Sequence, residues 1–402
     1  MSTERASDAS IARAVKRHVW KSAWRMRASC ALGLENLLAR EVSHLPGVRD
    51  PFVARGAVWW TAPFDTVYAA LLRLRVADTV RLSVGEGAAA TFAMARDQLG
   101  RIPWAWWLPP SVNLEVRVRS SRSRLRDDAG LARLVVQAVQ QHGVTVSESA
   151  EASATVLLSL EQDRAEAWLD LSGDPLYRRR GDRWVSRTSL RETTAAAMAL
   201  AVGVEHADVV FDPFCGSGTV LEETAGVATG RCAGASRSFG LEAAPVWRVE
   251  RMRHAQRVHC SEMQRAEPVL VGGDVDADAL EAARHNLAQC GLDASVHLNP
   301  VDARAMDLRG WMGELNAQRP VLLSNPPYGR RADAAGGTPD ATLSEVLARV
   351  ADVAREGPAW RVGILYPRPE VVRAVAGFED LHVTSIRMRG LATALVTGTV
   401  NG

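Results

Sequence analysis

Val209-Val210-Phe211-Asp212-Pro213-Phe214-Cys215-Gly216-Ser217-Gly218-Thr219 carries an apolar strand into Asp-Pro and a Gly-x-Gly turn, and a helical pattern follows from near Val220. Strand, glycine turn and helix in that order form the unit of an α/β fold, with backbone able to approach a ligand closely at the helix start. The turn lacks the third glycine of the dinucleotide fingerprint, and no Gly-Lys-Ser/Thr follows, which argues against both nucleotide-binding classes. A cationic methyl donor fits better. The candidate cofactor contacts in this stretch are Asp212, Pro213, Cys215, Gly216, Ser217, Gly218 and Thr219.

Downstream, Val269-Leu270-Val271 reads as the next strand and ends at Gly272-Gly273-Asp274-Val275-Asp276. A carboxylate at the carboxyl end of a second parallel strand suits ribose hydroxyls, so Asp274 takes that role, with Asp276 beside it. After a helix from Ala277 to Cys290, the alternation Ser295-Val296-His297-Leu298 predicts a third strand. Asp302 and Ala303 follow, and Asp302 could accept from an adenine amino group. Taken singly, each aspartate is equally a helix cap or a solvated loop residue. Their order and spacing together point to a cofactor site.

A fourth apolar run, Val321-Leu322-Leu323, leads into Asn325-Pro326-Pro327-Tyr328-Gly329. Asn and Pro break many chains after a buried strand, but this sequence is also shaped to hold a planar amino group. Such a nitrogen is a poor nucleophile because its lone pair is delocalised. Two acceptors on its protons, the Asn325 side-chain carbonyl and the Pro326 backbone carbonyl, weaken that delocalisation. Pro326 and Pro327 fix the chain direction and remove competing N–H donors. Tyr328 offers a ring face for stacking. These four residues are the candidate catalytic set.

In order and content these segments resemble class I S-adenosylmethionine-dependent methyltransferases. They are similar to the bacterial 23S rRNA guanine-amino methyltransferases and their tRNA counterparts, which carry an N-terminal THUMP domain. Asp170-Leu171-Ser172-Gly173-Asp174, Arg178-Arg179-Arg180-Gly181 and Leu190-Arg191-Glu192-Thr193 share the resemblance, which covers most of the chain from about Trp24. It departs at Gly181-Asp182-Arg183, where the family has Gly-Tyr-Arg, and at Arg330-Arg331, where an acidic residue often follows the motif. The resemblance implies a Rossmann-like methyltransferase domain preceded by α+β ferredoxin-like and THUMP domains, with S-adenosyl-L-methionine as cofactor. It also implies RNA as partner, ribosomal in preference to transfer, with a guanine exocyclic amine as acceptor. Adenine in DNA, a protein glutamine amide, or a non-catalytic RNA-binding assembly role are the alternatives left open.

At 402 residues the chain exceeds one typical core. With 47% hydrophobic and 23% charged residues it is of globular type. No apolar run approaches the ~20 residues that span a bilayer, and no hydrophobic signal region is seen over 1–21, so the expected location is cytoplasmic, without membrane association. The five cysteines, Cys30, Cys215, Cys232, Cys260 and Cys290, show no zinc spacing and read as reduced structural thiols; no metal is expected. Nothing in the sequence fixes an oligomeric state.

Net charge is +2, unevenly spread: residues 1–190 hold 27 Lys and Arg against 20 Asp and Glu, leaving 21 against 26 beyond. The N-terminal half is therefore the RNA-binding candidate. Its densest basic run extends the strand Val112 to Val118 into a loop before a helix over Asp128 to His142. Arg117, Arg119, Arg122, Arg124 and Arg126 are the proposed phosphate contacts, interleaved with serines.

The expected organisation is a flexible 1–23, in which Ile11 to Trp20 could form a short helix, a ferredoxin-like domain at 24–84, a THUMP domain at 85–172, a polar connector at 173–190 and the methyltransferase domain at 191–402. The tryptophan-rich Ile102 to Pro110 is read as packing between domains, with RNA stacking as the alternative. An insertion between Gly226 and Pro268 lies where a substrate-side lid could sit. Ala334-Ala335-Gly336-Gly337 reads as a mobile loop.

Overall fold

The structure, a computed structural model, describes residues 8–147, 152–184, 190–260, 267–328, 338–375, 377–388 and 390–401. Gly329, Arg330, Arg331 and the expected loop at 334–337 lie outside them. The chain divides into two compact units. One comprises Met1–Ser29, Ala39–Leu176 and Ser236–His259; the other comprises Cys30–Leu38, Tyr177–Ala235 and Cys260–Gly402.

The first unit is built on an eight-stranded sheet. Its elements are α1 (Asp8–His18), β1 (Ala23–Ser29), α2 (Glu35–Ser43), β2 (Arg49–Ala54), β3 (Ala57–Pro63), α3 (Thr66–Arg73), β4 (Thr79–Ala88), α4 (Phe92–Gly100), α5 (Trp104–Trp107), β5 (Ser111–Ser121), α6 (Asp128–Gln141), β6 (Thr145–Ser147), β7 (Ala154–Glu161) and β8 (Arg164–Asp170). The strand order is β2-β3-β1-β4-β8-β7-β5-β6. The boundary expected at 84/85 falls inside β4, which pairs β1 through Thr79 to Leu82 and β8 through Arg81 to Ala88. The two expected N-terminal domains therefore share one sheet. Alternation explains the strand: Val80 and Leu82 are buried while Arg81 faces the other side.

Two further expectations change in this unit. The N-terminus, read as flexible over 1–23 with a short helix open over Ile11 to Trp20, is helical over Asp8–His18 because Ile11, Val15 and Val19 recur at helical spacing and are buried. The insertion, considered as a lid, contributes residues 236–259 to this unit. There the Val246 N–H donates to Trp106 O at 3.1 Å, the Arg248 N–H donates to the Tyr68 hydroxyl at 3.0 Å, and the Trp247 ring lies 4.8 Å from that of Tyr68. The insertion's helix is α9 (Val249–Cys260). Trp104 and Trp107 are buried within this unit's own core, which rules them out as exposed stacking surfaces.

The second unit holds α7 (Glu192–Val202), β9 (Val209–Asp212), α8 (Thr219–Thr229), β10 (Val269–Asp274), α10 (Ala277–Ala288), β11 (Val296–Pro300), α11 (Leu308–Glu314), β12 (Pro320–Ser324), α12 (Pro339–Ala354), β13 (Trp360–Tyr366), α13 (Pro369–Arg373), β14 (Phe378–Met388) and β15 (Leu391–Val400). The seven strands run β11-β10-β9-β12-β13-β15-β14, parallel from β11 to β13 and antiparallel at β15 and β14. β9 and β12 are buried at every residue, as strands covered on both faces must be. α12 shows how the sequence covers one face: Thr338 caps its start and Pro339 opens it. Its Leu343, Val346, Leu347, Val350, Ala351 and Ala354 then form the buried stripe.

The cysteines depart from the sequence reading. Cys232 and Cys260 form a disulfide with Cα atoms 5.3 Å apart, while Cys30, Cys215 and Cys290 are free. Spacing along the chain could not show this pair, because 28 residues separate its members. The connector at 173–190, expected to be polar, buries Arg179 and pairs it with Glu223 at 2.9 Å. No helix among the described residues is long and apolar enough to cross a membrane.

Candidate active site at the carboxyl ends of β9, β10 and β12

In an open parallel sheet, ligands sit beyond the carboxyl ends of strands where the strand order reverses. Here that point lies between β9 and β12, which are neighbours in the sheet although β10 and β11 come between them in the chain. β9 ends on Asp212 and β12 on Ser324. The sequence thus brings its cofactor turn and its Asn-Pro-Pro turn to one place.

Asp212 has no exposed surface. Its Oδ1 accepts from the Ser324 hydroxyl at 2.5 Å and from the Phe214 N–H at 3.2 Å, whereas Oδ2 is buried without a partner. Burial pushes its carboxyl up to about 7, against the pull of the Ser324 and Phe214 hydrogen bonds. A buried oxygen left unpaired is costly, so a ligand or proton at Oδ2 is the expected use.

The turn after Asp212 is held from several sides. The Cys215 N–H donates to Gly273 O at 2.9 Å and the Gly216 N–H to Asp274 Oδ2 at 2.9 Å. Gly216 has φ 51° and a Cβ added there would meet nothing within 4 Å, so the backbone faces open space. Gly218 has φ 80° and is the residue before α8, with Ala283 and Leu287 close against it. Cys215 is buried, and burial first, then the Asp212 and Asp274 carboxylates, drives its thiol well above the usual range. It is not a nucleophile at neutral pH. Pro213 continues the same turn; the Ser217 carbonyl accepts from Asn286 Nδ2 at 2.9 Å, and the Thr219 hydroxyl accepts from Arg183 at 2.6 Å. Thr219 is thus held by Arg183, and its hydroxyl keeps a donor and a second lone pair.

Asp274 closes β10 and uses Oδ2 for Gly216 and Oδ1 for the Asp276 N–H at 3.0 Å. Each oxygen keeps a second lone pair for a hydroxyl donor. Asp276 is the N-cap of α10, accepting from Asp278 and Ala279. Between them Val275 is 62% exposed, an apolar side chain at the mouth of the site that the sequence reading passed over. Its signal was there, since an apolar residue between two aspartates on a turn has no core to join. Asp302 caps the short turn Ala303–Ala305 and holds Arg304 through both its oxygens, at 3.0 and 2.7 Å. That guanidinium keeps the Asp302 carboxyl below its usual range. Asp302 Oδ2 keeps a second lone pair for an incoming donor, and Ala303 beside it is buried.

In the Asn-Pro-Pro turn, Asn325 is half-buried with its side-chain oxygen Oδ1 buried and unpartnered. Pro326 is buried, Pro327 half-buried. Tyr328 is half-buried and stands edge-on to Tyr366, with ring centroids 6.2 Å apart at 85°. Tyr366 is fixed in turn by donating to Asp340 at 2.7 Å. Ser324, immediately before the motif, was missed by sequence reasoning because a serine ending a strand carries no signal until its partner is known.

The five arginines assigned to RNA lie in the other unit and all are exposed. Arg117 is bound to Glu115 through two hydrogen bonds, and Arg124 pairs with Asp163 at 3.3 Å, so part of their charge is internally compensated. Among the described residues Arg119, Arg122 and Arg126 make no ion pair.

Residues 180–393 match the UPF0020 family, described as RMKL-like methyltransferase domain, and residues 25–81 match the RlmL ferredoxin-like domain. A ribosomal RNA large subunit methyltransferase K/L of Alcanivorax borkumensis is 27% identical over 314 residues, covering 76% of this chain and 43% of its own length. The chain spans about half the length, or less, of the curated relatives it matches. Among solved structures, a possible methylase from Clostridium difficile 630 superposes with TM-score 0.76 at 19% identity, covering 95% of this chain and 98% of that one. SMU.472, a putative methyltransferase complexed with SAH, gives 0.75 at 25% identity, covering 94% and 98%.

Proposed function

The chain belongs to the UPF0020 family of RMKL-like methyltransferase domains, and on that premise we propose that it methylates the exocyclic amine of a guanine in RNA, ribosomal in preference to transfer, using S-adenosylmethionine. The observation that carries this reading is the buried, unpartnered Asn325 Oδ1 at the head of Asn-Pro-Pro-Tyr. An acceptor kept dry and unused is suited to a planar N–H donor that arrives with the substrate.

The residues fit the cofactor. Open space over Gly216 gives its backbone room against a ligand, and Val275 presents an apolar side to an aromatic base. The second lone pairs of Asp274 suit ribose hydroxyls, while the unpartnered Asp212 Oδ2 suits a cationic donor group. S-adenosylmethionine, when bound, supplies a methyl group on a sulfonium that needs no further activation. The protein's task is to hold the amine. Asn325 Oδ1 and the Pro326 carbonyl accept hydrogen bonds from its two N–H groups, raising lone-pair density on nitrogen, Tyr328 stacks on the ring, and one of the two protons leaves to solvent after the methyl group has been transferred. Flipping a base from its stack costs a few kcal/mol, which stacking and hydrogen bonds partly offset. Acceleration then comes from positioning, with no strong base needed beforehand.

RNA as partner rests on the basic bias of residues 1–190 and on the names of the half-matched relatives. The exposed Arg117, Arg119, Arg122, Arg124 and Arg126 on β5 and the loop after it are the phosphate contacts of this reading, and 85–172 its THUMP domain. Incubation with tritiated S-adenosylmethionine and separate pools of RNA, DNA and protein tests it, followed by mass mapping of modified guanosines. Label in RNA, at guanosine, supports it. Label only in DNA or protein, or no cofactor binding by calorimetry, overturns it.

A further inference from the structure

We infer that Arg183 and Asn286 are positioning residues for cofactor binding, acting through the glycine turn between β9 and α8. The inference rests on the proposed use of that turn to hold S-adenosylmethionine. A turn with Gly216 and Gly218 both at positive φ has little stiffness of its own, because glycine gives up the most backbone freedom on ordering. Its shape must be imposed from outside.

Two buried side chains impose it. Arg183, 4% exposed in its side chain, donates through Nη2 to the Thr219 hydroxyl at 2.6 Å, through Nη1 to Glu192 at 2.5 Å, and pairs with Glu222 at 3.4 Å. Asn286, fully buried on α10, donates through Nδ2 both to Ser217 O and to Trp184 O. Its Oδ1 accepts from the Trp184 N–H at 2.9 Å. The strand of chain just after the first unit, residues 178–184, is thus strapped behind the turn. Arg180 completes the strap, donating to Asn286 O at 2.8 Å and pairing with Glu222 at 3.3 Å. None of these side chains needs to touch the ligand. Their work is to fix Ser217 and Thr219 so that the backbone between them is ready before binding, which lowers the ordering cost paid on association.

The test compares Thr219→Val, which removes the acceptor and keeps the shape, with Thr219→Ser, which keeps the hydroxyl, beside Arg183→Met and the pair combined. Cofactor Kd is read by calorimetry, KM and kcat by tritium transfer, and melting temperature separately. The expected result is a rise in Kd and cofactor KM of about tenfold for Thr219→Val and for Arg183→Met, with kcat within about twofold. Thr219→Ser stays near wild type, and the combined variant is little worse than Arg183→Met alone, since Arg183→Met already removes the contact that Thr219→Val breaks. Folded variants with lowered melting temperature but unchanged Kd and KM overturn the inference, as does full additivity. Wild-type protein that binds no S-adenosylmethionine instead overturns the cofactor reading beneath it.

Discussion

The Ser324 hydroxyl donates to Asp212 Oδ1 at 2.5 Å, and both side chains are fully buried. One residue ends β12 and the other ends β9, so this bond ties the amine-holding turn to the cofactor turn where the strand order reverses. Replacing Ser324 with alanine leaves Asp212 with a single hydrogen bond, from Phe214. Loss of a partner to a buried group costs about 1–3 kcal/mol. Ser324→Ala is therefore expected to unfold at lower urea and to lose transfer activity, while Ser324→Thr, which keeps the hydroxyl, recovers part of both. Equal losses in the two variants would count against the bond.

Asp212 also gives the fold a pH dependence. Its carboxyl is raised from the ordinary range near 4 to about 7, chiefly by burial. The folded state thus holds the proton more tightly than the unfolded one. The stabilising contribution is full below about pH 4 and is lost as pH rises to about 7. Asp212→Asn, which stays neutral, removes this slope. Denaturation midpoints for the two proteins should converge at low pH and separate, with the wild type losing relative stability, between about pH 4 and 7. A constant offset across that range contradicts the assignment.

Asn325→Ala removes the dry acceptor without touching the arginines of the first unit. Transfer is expected to fall by about ten- to a hundredfold or more, the worth of one or two hydrogen bonds in the reacting state. Binding of RNA, measured by filter retention at fixed salt, is expected to stay within about twofold. Parallel losses in transfer and RNA binding would remove Asn325 from its assigned role.

The parallel strands and their turns were legible because their signals are local. An apolar run ending in Asp-Pro and glycine needs no partner to be read, and the cofactor turn, Asp274 and Asn325 all fall at strand ends as expected. What could not be read is which polar group another residue has already engaged. Asp276 and Asp302, read as cofactor contacts, each also cap a helical turn, a role that a carboxylate at a helix start fills through backbone N–H groups the sequence does not display. Arg179, Arg180 and Arg183 fell in a connector read only as polar; each finds a glutamate on α7 or α8 that lies 9 to 44 positions away. The continuity of β4 across the expected boundary was hidden for a related reason: its alternation breaks at Ser83 to Gly85, where the pairing to β8 shifts register, although the strand runs on.

The disulfide between Cys232 and Cys260 supplies the last test. The chain leaves the second unit after Ala235 and returns at Cys260, so the bridge fastens the two ends of the excursion that contributes residues 236–259 to the first unit. Closing a loop of this size removes unfolded-state freedom worth about 3 kcal/mol in the chain-entropy account. Peptide mapping without reductant is expected to recover the two cysteine peptides joined, and with dithiothreitol to release them. Reduction, or Cys260→Ser, should lower the melting temperature and speed proteolysis within 236–259. Cys290→Ser serves as the control for a thiol outside the bridge: it should leave the melting temperature's response to dithiothreitol intact, whereas Cys260→Ser should abolish that response. If the wild-type melting temperature does not respond to dithiothreitol, the bridge does not constrain the excursion.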